Sequence, residues 1–133
     1  MSPDEWSKIR WFSSEEFDSK DLPGSGLSGM QAPFIFKLDE LRGRWGKALS
    51  VNSGFRTAEH NARVGGKPNS AHLRGLAADL KTSGLTEAIR LAICAAQMGF
   101  KRIGVDKAGR YIHVDLDEAL PMATWFYSEE IFA

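Results

Sequence analysis

Cysteine is almost missing from this sequence: Cys94 stands alone in 133 residues. No intramolecular disulfide is possible, and the apolar helical pattern around Cys94 favours a packed thiol over a reactive one. An excess of charge of either sign is missing too, with 17 Lys plus Arg against 17 Asp plus Glu. No net field therefore draws the chain to nucleic acid or to an anionic membrane, and any partner must be recognised locally. No apolar run approaches the roughly 20 residues of a membrane span. Met1 to Phe17 mixes charges with aromatics and has no apolar stretch before a small-residue cleavage site, so no Sec-type leader is visible. Internal repeats and low-complexity tracts are absent as well. What is present is a hydrophobic fraction of 43%, enough for one core at this length and too little for two. Residues 1–133 are read as a single domain, expected to act as a monomer.

The pattern along the chain predicts helices and strands in irregular succession. Trp11 to Phe17 reads as a short helical turn capped by Ser13 or Ser14, and Asp21 to Gly29 as a loop. From Met30 the apolar residues Phe34, Leu38, Leu41 and Trp45 recur at steps of four and three, with Pro33 tolerable only in the first turn. Leu49–Ser53 alternates like a strand, Thr57 can cap a short helix reaching Val64, and Leu76–Thr82 is the next strand. A second helix is predicted over Leu85–Met98, with Leu85, Ile89, Ala92, Ile93 and Ala96 on its buried side and Gly99 ending it. Lys101–Asp106 and Arg110–Leu116 form a hairpin around Lys107-Ala108-Gly109, and Trp125-Phe126-Tyr127 is expected to pack back on the domain. Without a regular βαβ period, the expected class is α+β, a small antiparallel sheet packed with helices.

Three histidines occur: His60, His72 and His113. His60, in the polar run Thr57–Asn61, reads as a surface helix residue. His72 lies in a turn-rich loop and His113 among β-branched neighbours, while Asp79 is a carboxylate inside an apolar strand that needs a cation or several donors. Zinc takes imidazole nitrogen and carboxylate oxygen, and a catalytic zinc site keeps three protein ligands and one open position. His72, Asp79 and His113 would supply such a set. If Asp106 pairs with Tyr111 across the hairpin loop, alternation puts Asp106, Tyr111, His113 and Asp115 on one polar face.

Ser53-Gly54-Phe55-Arg56-Thr57, then Asn61, then Asn69 through Asp79, then Tyr111-Ile112-His113-Val114-Asp115 together resemble the zinc D-Ala-D-Ala carboxypeptidase family. Its relatives include L-Ala-D-Glu endopeptidases of phage lysins, vancomycin-resistance dipeptidases and the hedgehog signalling domain. The resemblance spans about Phe12 to Trp125. The family pattern Ser-x-His-x-x-Gly-x-Ala-x-Asp is met by Ser70, His72, Gly75, Ala77 and Asp79. It implies the hedgehog/D-Ala-D-Ala-peptidase-like fold and a Zn2+ ion on His72, Asp79 and His113. The implied activity is hydrolysis of peptide bonds in bacterial peptidoglycan. Arg56 is carried over as the group facing the scissile carbonyl or a substrate carboxylate, with Ser70 and Tyr111 beside it on the substrate. The general base departs from parts of the family: where many members place Glu, Asp or His, this chain has Arg110 and Tyr111, neither a good base at neutral pH. Other relatives place the acid at the end of the preceding strand, and Asp106 is the residue nearest that position. Asp115 competes, or else orients a histidine. The implied setting is a phage or prophage lysin, made in the cytoplasm without a Sec signal and reaching the wall through a separate pore. A leader removed from a periplasmic or extracellular protein is the other possibility. The rival reading is a non-catalytic, zinc-stabilised binding module.

Overall fold

A computed structural model describes residues 1–127. Helix α1 (Pro3–Trp6), a 3-10 turn (Ser14–Phe17) and helix α2 (Ser25–Gly29) precede the long helix α3 (Ala32–Trp45). Strand β1 (Val51–Ser53), helix α4 (Ala58–Arg63) and a second 3-10 turn (Ala71–Arg74) lead to strand β2 (Ala77–Lys81). Helix α5 (Leu85–Gln97) and strands β3 (Arg102–Asp106), β4 (Tyr111–Asp115) and β5 (Ala123–Tyr127) follow. No helix among the described residues is long and apolar enough to cross a membrane.

Helix α3 begins where Pro33 fits the first turn and ends at Gly46, whose φ of 78° lets the chain leave the helix. Between them Phe34, Ile35, Leu38 and Leu41 are fully buried. Each contributes about 1.5–3 kcal/mol by leaving water, and Leu38→Ala would cost about 2–5 kcal/mol in transfer and cavity energy. These side chains meet the apolar face of the sheet, made by Ala78, Leu80, Ile103, Val105, Ile112 and Val114.

The strand order is β1-β2-β4-β3-β5. The first four strands are antiparallel, but β5 runs parallel to β3, so the sheet is mixed rather than wholly antiparallel. The parallel pairing needs the crossover 116–122, which local periodicity does not announce.

Helix α5 has the expected extent but turns a different side inward. Ala88, Leu91 and Ala95 are buried, whereas Leu85, Ile89 and Ile93 are 42%, 40% and 53% exposed. Both stripes recur at helical steps, and the alanines allow the helix to lie close against β3 and β4. Cys94 is partly buried and packs against the core.

Candidate metal centre

The face of the sheet turned away from α3 is polar and nevertheless buried. A single row crosses it: Ser53 pairs with Asp79, Asp79 with His113, His113 with Gly104, and Gly104 with Trp125. A bulge in β1 between Val51 and Ser53 brings Ser53 into this row. Gly104 has no side chain to fill its place, so the Trp125 ring reaches His113, with centroids 5.5 Å apart.

His72 enters from the turn Ala71–Arg74, which the Ser70 side chain caps by accepting from the His72 backbone N–H at 3.2 Å. Gly75 closes that turn at φ 69°, and any Cβ there would collide with the Gly29 carbonyl. The His72 Nδ1–H donates to the Gly54 carbonyl at 2.7 Å, which turns Nε2 towards Asp79 Oδ1, 3.3 Å away. His113 Nδ1 is 2.9 Å from the same oxygen, and its Nε2 is 2.6 Å from Asp115 Oδ2. The ligand atoms of His72, Asp79 and His113 lie within 4.8 Å of one another, and all three residues are buried.

These contacts bias each group's protonation. Burial opposes the charge of Asp79, but His72, by its charge, and hydrogen bonds from His113 and His72 overcome it and hold the carboxyl well below the usual carboxylate range. Burial also works against a charged His113, yet hydrogen bonds to Asp115 and Asp79 raise it to about 9. Burial pushes His72 below its ordinary value, and Asp79 offsets this only in part.

The donor set fits zinc. Bonds of about 2.0–2.1 Å in tetrahedral array put neighbouring ligand atoms about 3.4 Å apart. The separations of 3.3 and 2.9 Å need little adjustment. Gly54 and Asp115 each hold the imidazole nitrogen that faces away from the cluster, the usual device for fixing tautomer and ring orientation.

Arg56 is 3% exposed and lines the same cavity. Its Nε donates to Ser53 Oγ at 3.2 Å, Nη1 to Asn61 Oδ1 at 3.2 Å, and Nη2 to Asp79 Oδ2 at 3.4 Å. Gly66 is required beside it, since a Cβ there would run into the Asn61 amide. The cavity, about 440 Å³, lies between the segment 66–72 and the segment 120–125.

Two expected site residues are not brought to this centre. Asp106 does share the face of His113, but the partner of His113 is Gly104, and Asp106 lies two residues further, about 7 Å along the strand. Both its oxygens are held by the Arg110 guanidinium at 2.8 Å, and the Arg110 backbone N–H adds 2.9 Å. That grip lowers the Asp106 pKa, and the residue does not line the cavity. Tyr111 is likewise buried, at 1% exposure, outside the cavity lining. Ser70 does line it. Asp115 lines it with both oxygens engaged, Oδ2 by His113 and Arg102 and Oδ1 by the Asp117 backbone N–H.

His60 also departs from expectation. It is buried at 7% exposure on the inner side of α4, and neither ring nitrogen has a hydrogen-bond partner among the described residues. The residues that sequence reasoning passed over are Ser53 and Gly54, which support Arg56 and His72, and Arg102 and Trp125. The Arg102 guanidinium lies 5.0 Å over the Trp125 ring. Ser53 and Gly54 stand in the Ser-Gly-Phe-Arg motif and carried a signal. Trp125 was visible only as an aromatic near the C-terminus.

A family model described as Peptidase M15 matches residues 14–115. The zinc D-Ala-D-Ala carboxypeptidase of Streptomyces albus G is 41% identical to this chain over 70 residues, which is 52% of this chain and 27% of that protein. The match thus spans about a quarter of the relative's length. The wall 120–125, Trp125 included, lies beyond the residues matched by the family model.

Proposed function

This chain belongs to the Peptidase M15 family, and we propose that it is a zinc-dependent peptidase hydrolysing peptide bonds in the stem peptides of bacterial peptidoglycan. The observation that carries the reading is the convergence of His72, Asp79 and His113 at a cavity that Arg56 also lines. The name of the Streptomyces relative supports the choice of zinc and of a D-Ala-D-Ala bond, and an L-Ala-D-Glu bond is the alternative that the test below separates from it. The setting proposed with it is a monomeric single domain over residues 1–133, of the phage or prophage lysin type.

In this reading His72, Asp79 and His113 hold the ion. Zinc, when bound, polarises a carbonyl and provides a water acidic enough to ionise near neutral pH. Arg56, immobilised by Ser53, Asn61 and Asp79, brings its positive charge to the cavity where negative charge develops on a substrate oxygen during hydrolysis. Asp115 holds His113 in orientation, and Arg102 in turn holds Asp115. Ser70 fixes the turn carrying His72 at the substrate side.

The test is digestion of purified peptidoglycan with zinc and with chelator, followed by mass spectrometry of the muropeptides. New amino termini that appear only with zinc support the reading, and their masses identify the bond. A second reading, a zinc-stabilised binding module without turnover, draws on one feature. Among the described residues, every carboxylate lining the cavity is already engaged by other groups. Zinc-dependent wall binding with no released amine would favour it.

A further inference from the structure

Among the described residues, three cationic side chains and two carboxylates line the cavity: Arg56, Lys67 and Arg102 against Asp79 and Asp115. Four of the five are engaged with one another or with the imidazoles. Arg56 contacts Asp79, and Arg102 contacts Asp115 at 3.2 Å. Lys67 differs. It is exposed at the rim, and its ammonium makes no ion pair with a carboxylate among the described residues.

Its backbone is nevertheless fixed. The Lys67 carbonyl accepts from Asn61 Nδ2 at 2.9 Å and from the Ser70 backbone N–H at 3.0 Å. The same Asn61 amide accepts from Arg56 through Oδ1. One side chain thus sets the spacing between the buried guanidinium and the stem of the rim lysine. The opposite wall is apolar, with Leu120, Pro121 and Trp125. A peptide lying between these walls passes a hydrophobic surface on one side and, on the other, a positive charge that no carboxylate among the described residues pairs.

We infer that Lys67 is a specificity-determining residue of this cavity, selecting peptides that carry a free carboxylate close to the scissile bond. The inference rests on the peptidase reading and adds the substrate class to it: an acidic peptide rather than its amidated counterpart. The carboxylate comes either from the peptide C-terminus or from an acidic residue within the peptide. Both present the same two oxygens to the ammonium.

The zinc-loaded protein, with Lys67→Met and Lys67→Arg variants, would be assayed on two pairs of stem peptides. One pair differs in a free or amidated C-terminus, the other in a free or amidated internal acidic residue. The wild type is expected to prefer the acid in one pair by on the order of threefold to tenfold in kcat/KM, expressed mainly in KM. Lys67→Met should abolish that preference and Lys67→Arg retain it, and the pair affected identifies the carboxylate. Acid-to-amide ratios that are the same in wild type and Lys67→Met for both pairs overturn the inference alone. No zinc-dependent cleavage of any of the four peptides by wild type overturns the peptidase reading, and the inference with it.

Discussion

Asp115→Asn removes one negative charge from beneath His113 at almost constant side-chain volume. In the folded chain Asp115 Oδ2 lies 2.6 Å from His113 Nε2 and 3.2 Å from Arg102 Nε. Asparagine keeps an acceptor there but no charge, so the imidazole becomes a weaker donor to the metal and less firmly oriented. Loss of such an outer partner costs about 10- to 100-fold in metal affinity, or about 1.4–2.8 kcal/mol at 1.4 per tenfold. Competition against a chromogenic chelator reads this directly. Thermal unfolding in excess chelator separates it from a general loss of stability. Asp106→Asn is the matched control, since its carboxylate grips Arg110 and stays outside the cavity. It is expected to leave zinc affinity within about twofold of wild type and to lower stability by about 1 kcal/mol, because the Arg110 side chain is half exposed. The reasoning fails if Asp115→Asn binds zinc as tightly as wild type. It fails equally if Asp106→Asn silences hydrolysis with zinc and melting temperature intact, for then Asp106 would be the proton acceptor.

Arg56→Lys is expected to lower hydrolysis by at least about tenfold with zinc retained, because an ammonium cannot hold Ser53, Asn61 and Asp79 and still reach substrate; equal rates would place Arg56 outside the reaction. His113 titrates at about 9 in the fold, above its unfolded value of about 6.5. In chelator-treated protein its stabilising contribution is therefore complete below about 6.5 and lost as pH rises through 9. For zinc the direction reverses: the proton occupies a ligand position, so apparent zinc affinity should climb between those values and level off above 9. A chelator-competition profile flat over that range would refute this. His60→Leu should leave stability unchanged or raise it by about 1 kcal/mol, since it deletes two buried nitrogens without partners; a loss above about 2 kcal/mol in urea unfolding would contradict this.

The parts of the molecule that sequence made legible are those governed by local rules. The Phe34–Leu41 stripe, the Thr57 cap and the β3–β4 hairpin follow from periodicity and turn chemistry, and the structure has all three. The motif residues His72, Asp79 and His113 do converge, because Asp79 and His113 occupy facing positions on adjacent strands. Other features depend on non-local competition. Two stripes of α5 have equal helical periodicity, and only the sheet's need for close approach selects Ala88, Leu91 and Ala95. The face of Asp106 was legible, but its distance from His113 and its capture by Arg110 were not. His60 was hidden by polar neighbours in the chain, and β5 by a parallel pairing across a crossover.

The row Ser53–Asp79–His113 has a further consequence, for how the chain finds its fold. Asp79 and His113 face each other only in one alignment of β2 with β4. A slip of one residue would turn one of the two ligands to the apolar side of the sheet. Zinc would bind the correct alignment and discriminate against its neighbours, withdrawing the well-paired chains from a mixture in mass-action proportion to its affinity. The ion would then act as a proofreader of strand alignment during folding, quite apart from anything it does to a peptide bond.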